Sequence, residues 1–251
     1  MEEHSLAAKI LLCFLGGLLG MASAGFCAHF GYRSADRLPG ESRWPECVFC
    51  LRPFKFIEIL PLFGWILRRP AFSCPCGRRN GLWAQPAAEI SGFVLGVAAA
   101  ALAGWSWKMI PLCLGLGTLP AIALVDLFFG LIPDGLNLFL GLCGLSWLIL
   151  SGENFYLGLV TSAGLLAFSL FLAIAYSKWR GREVLGLGDV KLFTAAGLWI
   201  PVTLVPWFMF ASGFLGSLFG FAWRRFGGGK EFPFAPAICA ALAGIVFFSL
   251  I

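Results

Sequence analysis

Two aspartates stand at the edges of strongly apolar sequence. Asp126 follows "LPAIALV" and continues into "LFFGLIPDGLN", and Asp189 closes "LGLGD" within "REVLGLGDVKLF". An ionised carboxyl group is costly at membrane depth, so an acid kept in such a segment is a functional candidate by default. Both acids are therefore candidates for the chemistry of this chain.

A pair of carboxyl groups brought together has a definite chemistry. Two like charges in contact resist ionising together, so one carboxyl holds a proton near neutral pH while the other is ionised. The ionised group can take a proton from water, and the protonated group can polarise a peptide carbonyl. Such a pair hydrolyses peptide bonds with neither a metal ion nor a covalent nucleophile.

Structural roles for the same polar residues stay open beside the catalytic one. Asp189 could cap a helix that begins at Val190, and Asp134 in "IPDG" could cap the next helix along the chain. Lys191 could pair with an acid at the membrane interface. Asp126 lies within its apolar run and is poorly placed to cap a helix, which favours a functional role.

Two glycines, Gly186 and Gly188, precede Asp189 in "GLGD". Glycine has no Cβ, so it permits close backbone contact and backbone dihedrals that other residues rarely adopt. We expect both properties beside Asp189.

The composition is that of a helical membrane protein. Of 251 residues, 59% are hydrophobic and only 12% are charged, whereas a soluble domain is about 25% charged. Apolar runs of about 20 residues span the hydrocarbon core as helices. The alternating segments of about ten residues that a transmembrane β-barrel requires are absent. The sequence therefore predicts an all-α polytopic fold.

Eight transmembrane helices are predicted. The sixth is short, and Pro201 separates it from the seventh because proline removes a backbone donor and disfavours helix at the residue before it. The predicted helices are about 6–29, 86–106, 109–129, 136–150, 155–176, 190–200, 202–223 and 234–251. The first is interpreted as an uncleaved span, since its start is acidic and it is long for a signal peptide.

The basic residues predict the orientation in the membrane. Lys and Arg collect on the cytoplasmic side of short loops. With segment 30–84 inside, 15 of the 18 basic residues are cytoplasmic, Lys9 and Lys108 lie outside, and Lys191 lies just within the sixth helix. Both termini then face out, and Asp126 and Asp189 lie at the cytoplasmic ends of their helices. Because the basic residues are confined to loops, the net charge of +5 does not indicate nucleic-acid binding.

Several motifs together resemble a known family. "GLGDVKL" at 186–192 looks like the GxGD signature of intramembrane aspartyl proteases, and with "VDLFFGLIPDGLN" at 125–137 it is similar to the type IV prepilin peptidases. Weaker matches cover most of the chain in the same order. They are "GYRSADRLPGES" at 31–42, "CVFC" at 47–50, "QPAAEISG" at 85–92 and "FPFAPAICA" at 232–240.

The resemblance implies a function and its residues. Asp126 and Asp189 would be the catalytic pair, and the supporting residues would be Gly186, Gly188, Lys191 and Asp134. The substrates would be prepilins or the pilin-like proteins of type II secretion, whose short basic leader ends in glycine before an apolar helix. Cleavage would occur at the cytoplasmic face of the bacterial inner membrane. Many members also methylate the new N-terminus with S-adenosylmethionine.

Four cysteines in the polar segment form a candidate metal site. Cys47-x-x-Cys50 and Cys74-x-Cys76 could supply four thiolates to a tetrahedral zinc ion. Family members with this segment usually have two CxxC pairs, and the shorter second pair here leaves four free thiols as the alternative. The predicted organisation is thus a first helix (1–29), a cytoplasmic cysteine-containing domain (30–84) and a membrane protease core (85–251).

Two other functional classes compete with the protease. A transporter or proton-relay protein also keeps acids in the membrane, but no paired inverted halves are evident. A non-catalytic assembly subunit would be favoured if Asp126 or Asp189 were missing, and both are present. Within the proteases, a presenilin-like enzyme shares GxGD but usually has tyrosine beside its other aspartate, where this chain has Val125.

Overall fold

The computed structural model describes residues 6–35, 84–180, 185–226 and 232–251. Every regular element in these ranges is helical, which confirms the all-α prediction. Eight α-helices follow one another, with a 3₁₀ turn at Val202–Leu204 before the seventh. They are α1 (Leu6–Ala35), α2 (Ala84–Ala103), α3 (Met109–Phe129), α4 (Asp134–Ser151), α5 (Phe155–Arg180), α6 (Leu187–Ala196), α7 (Val205–Arg225) and α8 (Ala235–Leu250).

Six of these helices are long and apolar enough to cross a membrane, namely α1 to α5 and α7. Helix α8 is apolar but has 16 residues, and α6 has only 10. At 1.5 Å per residue, α6 rises about 15 Å, roughly half of the hydrocarbon core. The eight predicted helices are thus present in order within the described ranges, but six full-length spans are shown rather than eight.

Two helix ends differ from the prediction in ways that matter for the candidate site. Helix α1 continues to Ala35, past the predicted end at residue 29, because a helix can extend beyond the apolar stretch that crosses the membrane. Helix α6 begins at Leu187 rather than Val190, with Gly186 as its N-cap. Asp189 therefore lies in the first turn of α6 instead of ahead of it.

Helices α1, α2 and α3 form the most tightly packed part of the structure. A Cβ atom on Gly20 would collide with the backbone carbonyl of Gly92, and one on Gly117 would collide with the carbonyl of Gly20. Small residues let helix backbones approach closely where lipid supplies no hydrophobic drive for association. The hydroxyl of Ser23 also donates to the carbonyl of Leu114, at 2.7 Å. This seam fixes α3, which carries Asp126.

The short helix α6 is held in place by its neighbours. A helix of this length is marginal on its own, so tertiary contacts must stabilise it. Ser162 of α5 donates to the carbonyl of Thr194 at 2.7 Å, which satisfies an end carbonyl of α6. Just beyond α6, Trp199 stacks on Trp147 with ring centroids 6.4 Å apart, and its Nε1 donates to the carbonyl of Leu140 at 3.2 Å. These contacts anchor the end of α6 opposite Asp189.

Candidate active site

Four helices surround the place where the two acids meet. Helix α3 packs against α4 and α8. Helix α6 packs against α4, α5 and α8. Helices α3 and α6 therefore share α4 and α8 as neighbours instead of forming an extensive interface with each other. Asp126 lies near the end of α3 and Asp189 near the start of α6, so the acids come from two helices that are held against the same two neighbours.

Asp126 lies in the last turn of α3 and is only 5% exposed. The helix ends at Phe129, and the left-handed conformation (φ 66°) of its C-cap Gly130 lets the Gly130 N–H donate to the carbonyl of Asp126 at 2.7 Å. Glycine adopts this conformation without the strain that a side chain would add. The turn that follows leads directly into α4, so the backbone around Asp126 is fixed on both sides.

The carboxyl group of Asp126 is held by the N-terminus of α8. Its Oδ2 accepts a hydrogen bond from the backbone N–H of Ala235 at 2.9 Å, and the amide of Phe234 lies beside the same group. The first N–H groups of a helix have no partner inside the helix and carry partial positive charge, so they suit a carboxylate. Pro236, next in the helix, has no N–H to satisfy. The start of α8 thus orients Asp126.

Asp189 lies in the first turn of α6 and is partly exposed. The backbone N–H groups of Asp189 and Val190 both donate to the carbonyl of Gly186, at 3.1 and 3.2 Å. Gly186, and not Asp189, is the N-cap of the helix. The Asp189 carboxyl group instead accepts a hydrogen bond from the backbone N–H of Gly186 within the same turn. Asp134 is likewise not an N-cap, because Pro133 is the N-cap of α4 and Asp134 is its first residue.

The glycines before Asp189 serve close contact and not unusual dihedrals. Gly186 has φ −67° and ψ 145°, and the described glycines with positive φ are at positions 104, 130 and 152. The expectation of unusual backbone dihedrals is therefore wrong. A Cβ on Gly188 would lie 3.2 Å from the Cβ of Ile132, tighter than ordinary contact. Close approach is the part of the prediction that the structure supports.

The structure brings Asp126 and Asp189 to the same end of the helix bundle. Their carboxyl groups are close enough for the charge of Asp126 to act directly on Asp189. The thiol of Cys239, in α8, lies within electrostatic reach of both acids. The two acids are therefore within electrostatic reach of each other, which an acid pair needs.

Lys191 and Asp134 form an ion pair at the rim of this site. The Lys191 Nζ lies 2.6 Å from Asp134 Oδ1 and links the first turns of α6 and α4. Both side chains are largely exposed, at 50% and 75%. An exposed pair stabilises a fold by about 0–1 kcal/mol, so this pair contributes little to stability.

Sequence reasoning missed four contributors to the site. Ala235 and Phe234 hold Asp126, Ile132 limits the space beside Gly188, and Asn137 donates from Nδ2 to the carbonyl of Gly188 at 3.3 Å. "FPFAPAICA" does carry a usable signal, since proline near the start of an apolar run marks a helix N-terminus. Nothing local indicates which carboxyl group that N-terminus meets.

The four cysteines proposed as zinc ligands lie outside the described residues. Among the residues that the structure describes, no group of three or more His, Cys, Asp or Glu side chains could hold a metal ion. Cys27, Cys113, Cys143 and Cys239 are buried in the helix bundle and Cys13 is partly buried, as expected for cysteines that act as small apolar residues.

Comparison with known proteins gives one consistent result. Residues 113–221, which include both acids, match the type IV leader peptidase family. The prepilin leader peptidase/N-methyltransferase of Bacillus subtilis (strain 168) is 31% identical over 199 residues, covering 78% of this chain and 77% of that protein. Proteins of the same name from Aeromonas hydrophila (28% over 207 residues, covering 78% and 68%) and Legionella pneumophila (27% over 214 residues, covering 80% and 69%) are also similar.

No solved structure matches the chain. The similarity to these relatives extends well beyond residues 113–221. The alignment with the Bacillus subtilis protein covers more than three quarters of both chains. A helical membrane fold with paired acids agrees with that similarity. This chain belongs to the type IV leader peptidase family.

Proposed function

We propose that this protein is a prepilin leader peptidase in which Asp126 and Asp189 are the catalytic acids. The observation that carries the proposal is that the two carboxyl groups lie within electrostatic reach of each other, at one end of a bundle of membrane helices. Two neighbouring carboxyl groups are the side chains that hydrolysis of a peptide bond by an acid pair requires. Membership of the leader peptidase family supplies the substrate class.

The reaction uses one ionised and one protonated carboxyl group. The ionised carboxylate takes a proton from a water molecule as the water oxygen bonds to the scissile carbonyl carbon, and the protonated carboxyl donates to the carbonyl oxygen. Proton transfer to the amide nitrogen then lets the C–N bond break, which releases the leader and a new N-terminal amine. The N-terminus of α8 keeps Asp126 oriented during these steps.

The proposed site faces the cytoplasm in the bacterial inner membrane. The end of the bundle that carries the acids also holds Lys178, Arg224 and Arg225 near the ends of α5 and α7, while Lys9 and Lys108 lie toward the other end. Positive residues favour the cytoplasmic side. A substrate with a short basic leader and an apolar helix would place its cleavage site at that interface, whether it serves a pilus or type II secretion.

Purified protein in detergent should cleave a prepilin immediately after the leader's last glycine. Mass spectrometry of the shortened product measures the cut, and a prepilin with that glycine replaced by leucine is the control substrate. Because relatives are named N-methyltransferases, we also propose methyl transfer from S-adenosylmethionine as a co-substrate, seen as one added methyl group on the product. Correctly folded protein in detergent that does not cut the prepilin would contradict the proposed function.

The cysteine segment is proposed to bind one structural zinc ion through Cys47, Cys50, Cys74 and Cys76. Four thiolates from two closely spaced cysteine pairs are a set that zinc prefers, and a metal can hold together a segment with little core of its own. We expect about one zinc per chain by metal analysis of purified protein, and loss of that zinc in Cys47→Ser. The matched control is Cys143→Ser, which removes a thiol buried in the bundle. Wild-type protein in which metal analysis finds no bound zinc would refute the site.

A further inference from the structure

Asn137 is a buried polar residue beside the acid pair that the proposed reaction does not use. It lies in the first turn of α4 and is 6% exposed. Its Nδ2 donates to the carbonyl oxygen of Gly188 at 3.3 Å, and Gly188 directly precedes Asp189. The side chain thus connects α4 to the backbone that carries one of the two acids.

Stability does not account for an asparagine at this position. The Oδ1 atom of Asn137 is buried and has no hydrogen-bond partner. An unsatisfied buried acceptor costs about 1–3 kcal/mol, more than an ordinary hydrogen bond of about 1 kcal/mol returns. The neighbours of Asn137 in α4 include the fully buried Leu136 and Leu140. An apolar side chain of the same size would suit this environment better than the amide does.

The amide acts where α6 is least constrained. Ser162 and Trp199 hold the second half of α6 and the segment after it. At the other end, the Asp189 carboxyl group accepts from the N–H of Gly186, but this bond lies within the turn and does not tie it to another helix, and helix ends fray. The exposed Lys191–Asp134 pair is the weak kind of contact. The Asn137 bond to Gly188 is a part-buried side-chain link from α4 to this turn.

We propose that Asn137 is a positioning residue that fixes the first turn of α6, and so the Asp189 carboxyl group, relative to Asp126. This inference rests on the proposed function, because it concerns the alignment of the acid pair. Its consequence is a separation of activity from stability. Removing the amide should slow the chemical step, since small displacements of a reacting group cost large factors in rate, while the fold is kept or strengthened.

The test compares Asn137→Leu, Asn137→Ala and Asn137→Gln in prepilin cleavage and thermal unfolding in detergent. We expect Asn137→Leu to lower kcat at least about tenfold, with KM within about twofold and Tm equal to or above that of the wild type. Asn137→Ala gives the same loss of kcat if leucine does not fit. Asn137→Gln keeps the donor and should recover part of kcat. A purely structural role would instead lower Tm and kcat together.

The matched control is Asn154→Leu at the exposed turn before α5, where the side chain accepts from the N–H of Leu157. That variant should lose a little stability and keep its kcat. Folded Asn137→Leu and Asn137→Ala variants with wild-type kcat would overturn the inference, as would Asn137→Gln no faster than Asn137→Leu. Wild-type protein that does not cleave prepilin would instead overturn the proposed function, so the two failures are distinguishable.

Discussion

Asp126→Asn and Asp189→Asn should each abolish prepilin cleavage while leaving the protein folded. Each substitution removes a group that must gain or lose a proton in the reaction but keeps the shape of the side chain. General acid–base catalysis by a positioned group contributes about 10²–10⁴-fold, so we expect kcat to fall at least about 10³-fold in each variant. The measurement is the rate of leader release from a purified prepilin, followed by mass spectrometry.

The double variant separates a working pair from two independent acids. Residues that act as a unit show strongly non-additive losses. Asp126→Asn/Asp189→Asn should therefore be about as slow as either single variant, instead of showing the product of two losses. Independent contributions would give a further drop of about 10³-fold. The double variant thus tests whether the acids cooperate as well as whether each is needed.

A matched control distinguishes loss of catalysis from loss of fold. Glu153→Gln makes the same acid-to-amide change at an exposed turn, far along the chain from either aspartate. It should cleave at the wild-type rate. Asn at position 126 still offers an oxygen to the N–H of Ala235, so the thermal unfolding of that variant should stay close to wild type. Normal cleavage by either aspartate variant would refute the proposed acid pair.

The two acids were predictable because the cost of a charge in apolar sequence is a local property. Asp126 and Asp189 stand out as candidates from their immediate neighbours, and the side of the membrane stays a prediction from where lysine and arginine lie. Six full-length spans were also predictable, since a run of about 20 apolar residues has few other uses. Each of these inferences needs only a short window of sequence.

The contacts that align the acids were not predictable, because they join distant parts of the chain. Ala235 donates to Asp126 across 109 residues, and Asn137 donates to Gly188 across 51. An asparagine and an alanine in apolar helices look ordinary until their partners are known. The short length of α6 could not be predicted from the sequence for a related reason. Trp199 continues the apolar pattern past the end of the helix, but it packs inside the bundle against Trp147.

The transporter interpretation fits these contacts less well than the peptidase does. A proton relay needs a path of polar groups that continues across the membrane. Trp199 and Trp147 instead stack on each other inside the bundle, and the packing glycines of α1 to α3 leave little room between those helices. The polar groups that contact the acids or adjacent backbone, from Ala235 and Asn137, lie at the same end as the acids themselves. The arrangement suits a reaction at one membrane face.

Gly188→Ala should slow cleavage by about ten- to a hundredfold, because the new Cβ would lie 3.2 Å from the Cβ of Ile132. A Cβ atom is fixed by the backbone and cannot be moved by changing a rotamer. The contact must therefore be relieved by shifting the first turn of α6 or the segment before α4, and either shift displaces Asp189 relative to Asp126. Gly188→Val adds two more carbon atoms at the same place and should be slower still.

Stability should not follow activity in this variant, which makes the effect diagnostic. Alanine is favoured over glycine within a helix by about 1 kcal/mol, which offsets part of the cost of the tight contact, so we expect Tm to change by only a few degrees. The matched control is Gly186→Ala, two residues earlier. Its φ of −67° suits alanine, and its Cβ would lie 3.4 Å from Asp189 Oδ2 as the nearest atom, an ordinary contact.

The order of the two alanine variants decides between the two uses of glycine in this motif. If close approach to Ile132 is the reason for glycine, Gly188→Ala is clearly slower than Gly186→Ala, as the dihedral angles and contacts require. If the motif needed glycine for backbone conformations closed to other residues, both variants would lose activity and Tm together. Equal rates for Gly188→Ala and wild type would show that the turn absorbs the added methyl group, and would remove the steric argument for how Asp189 is positioned.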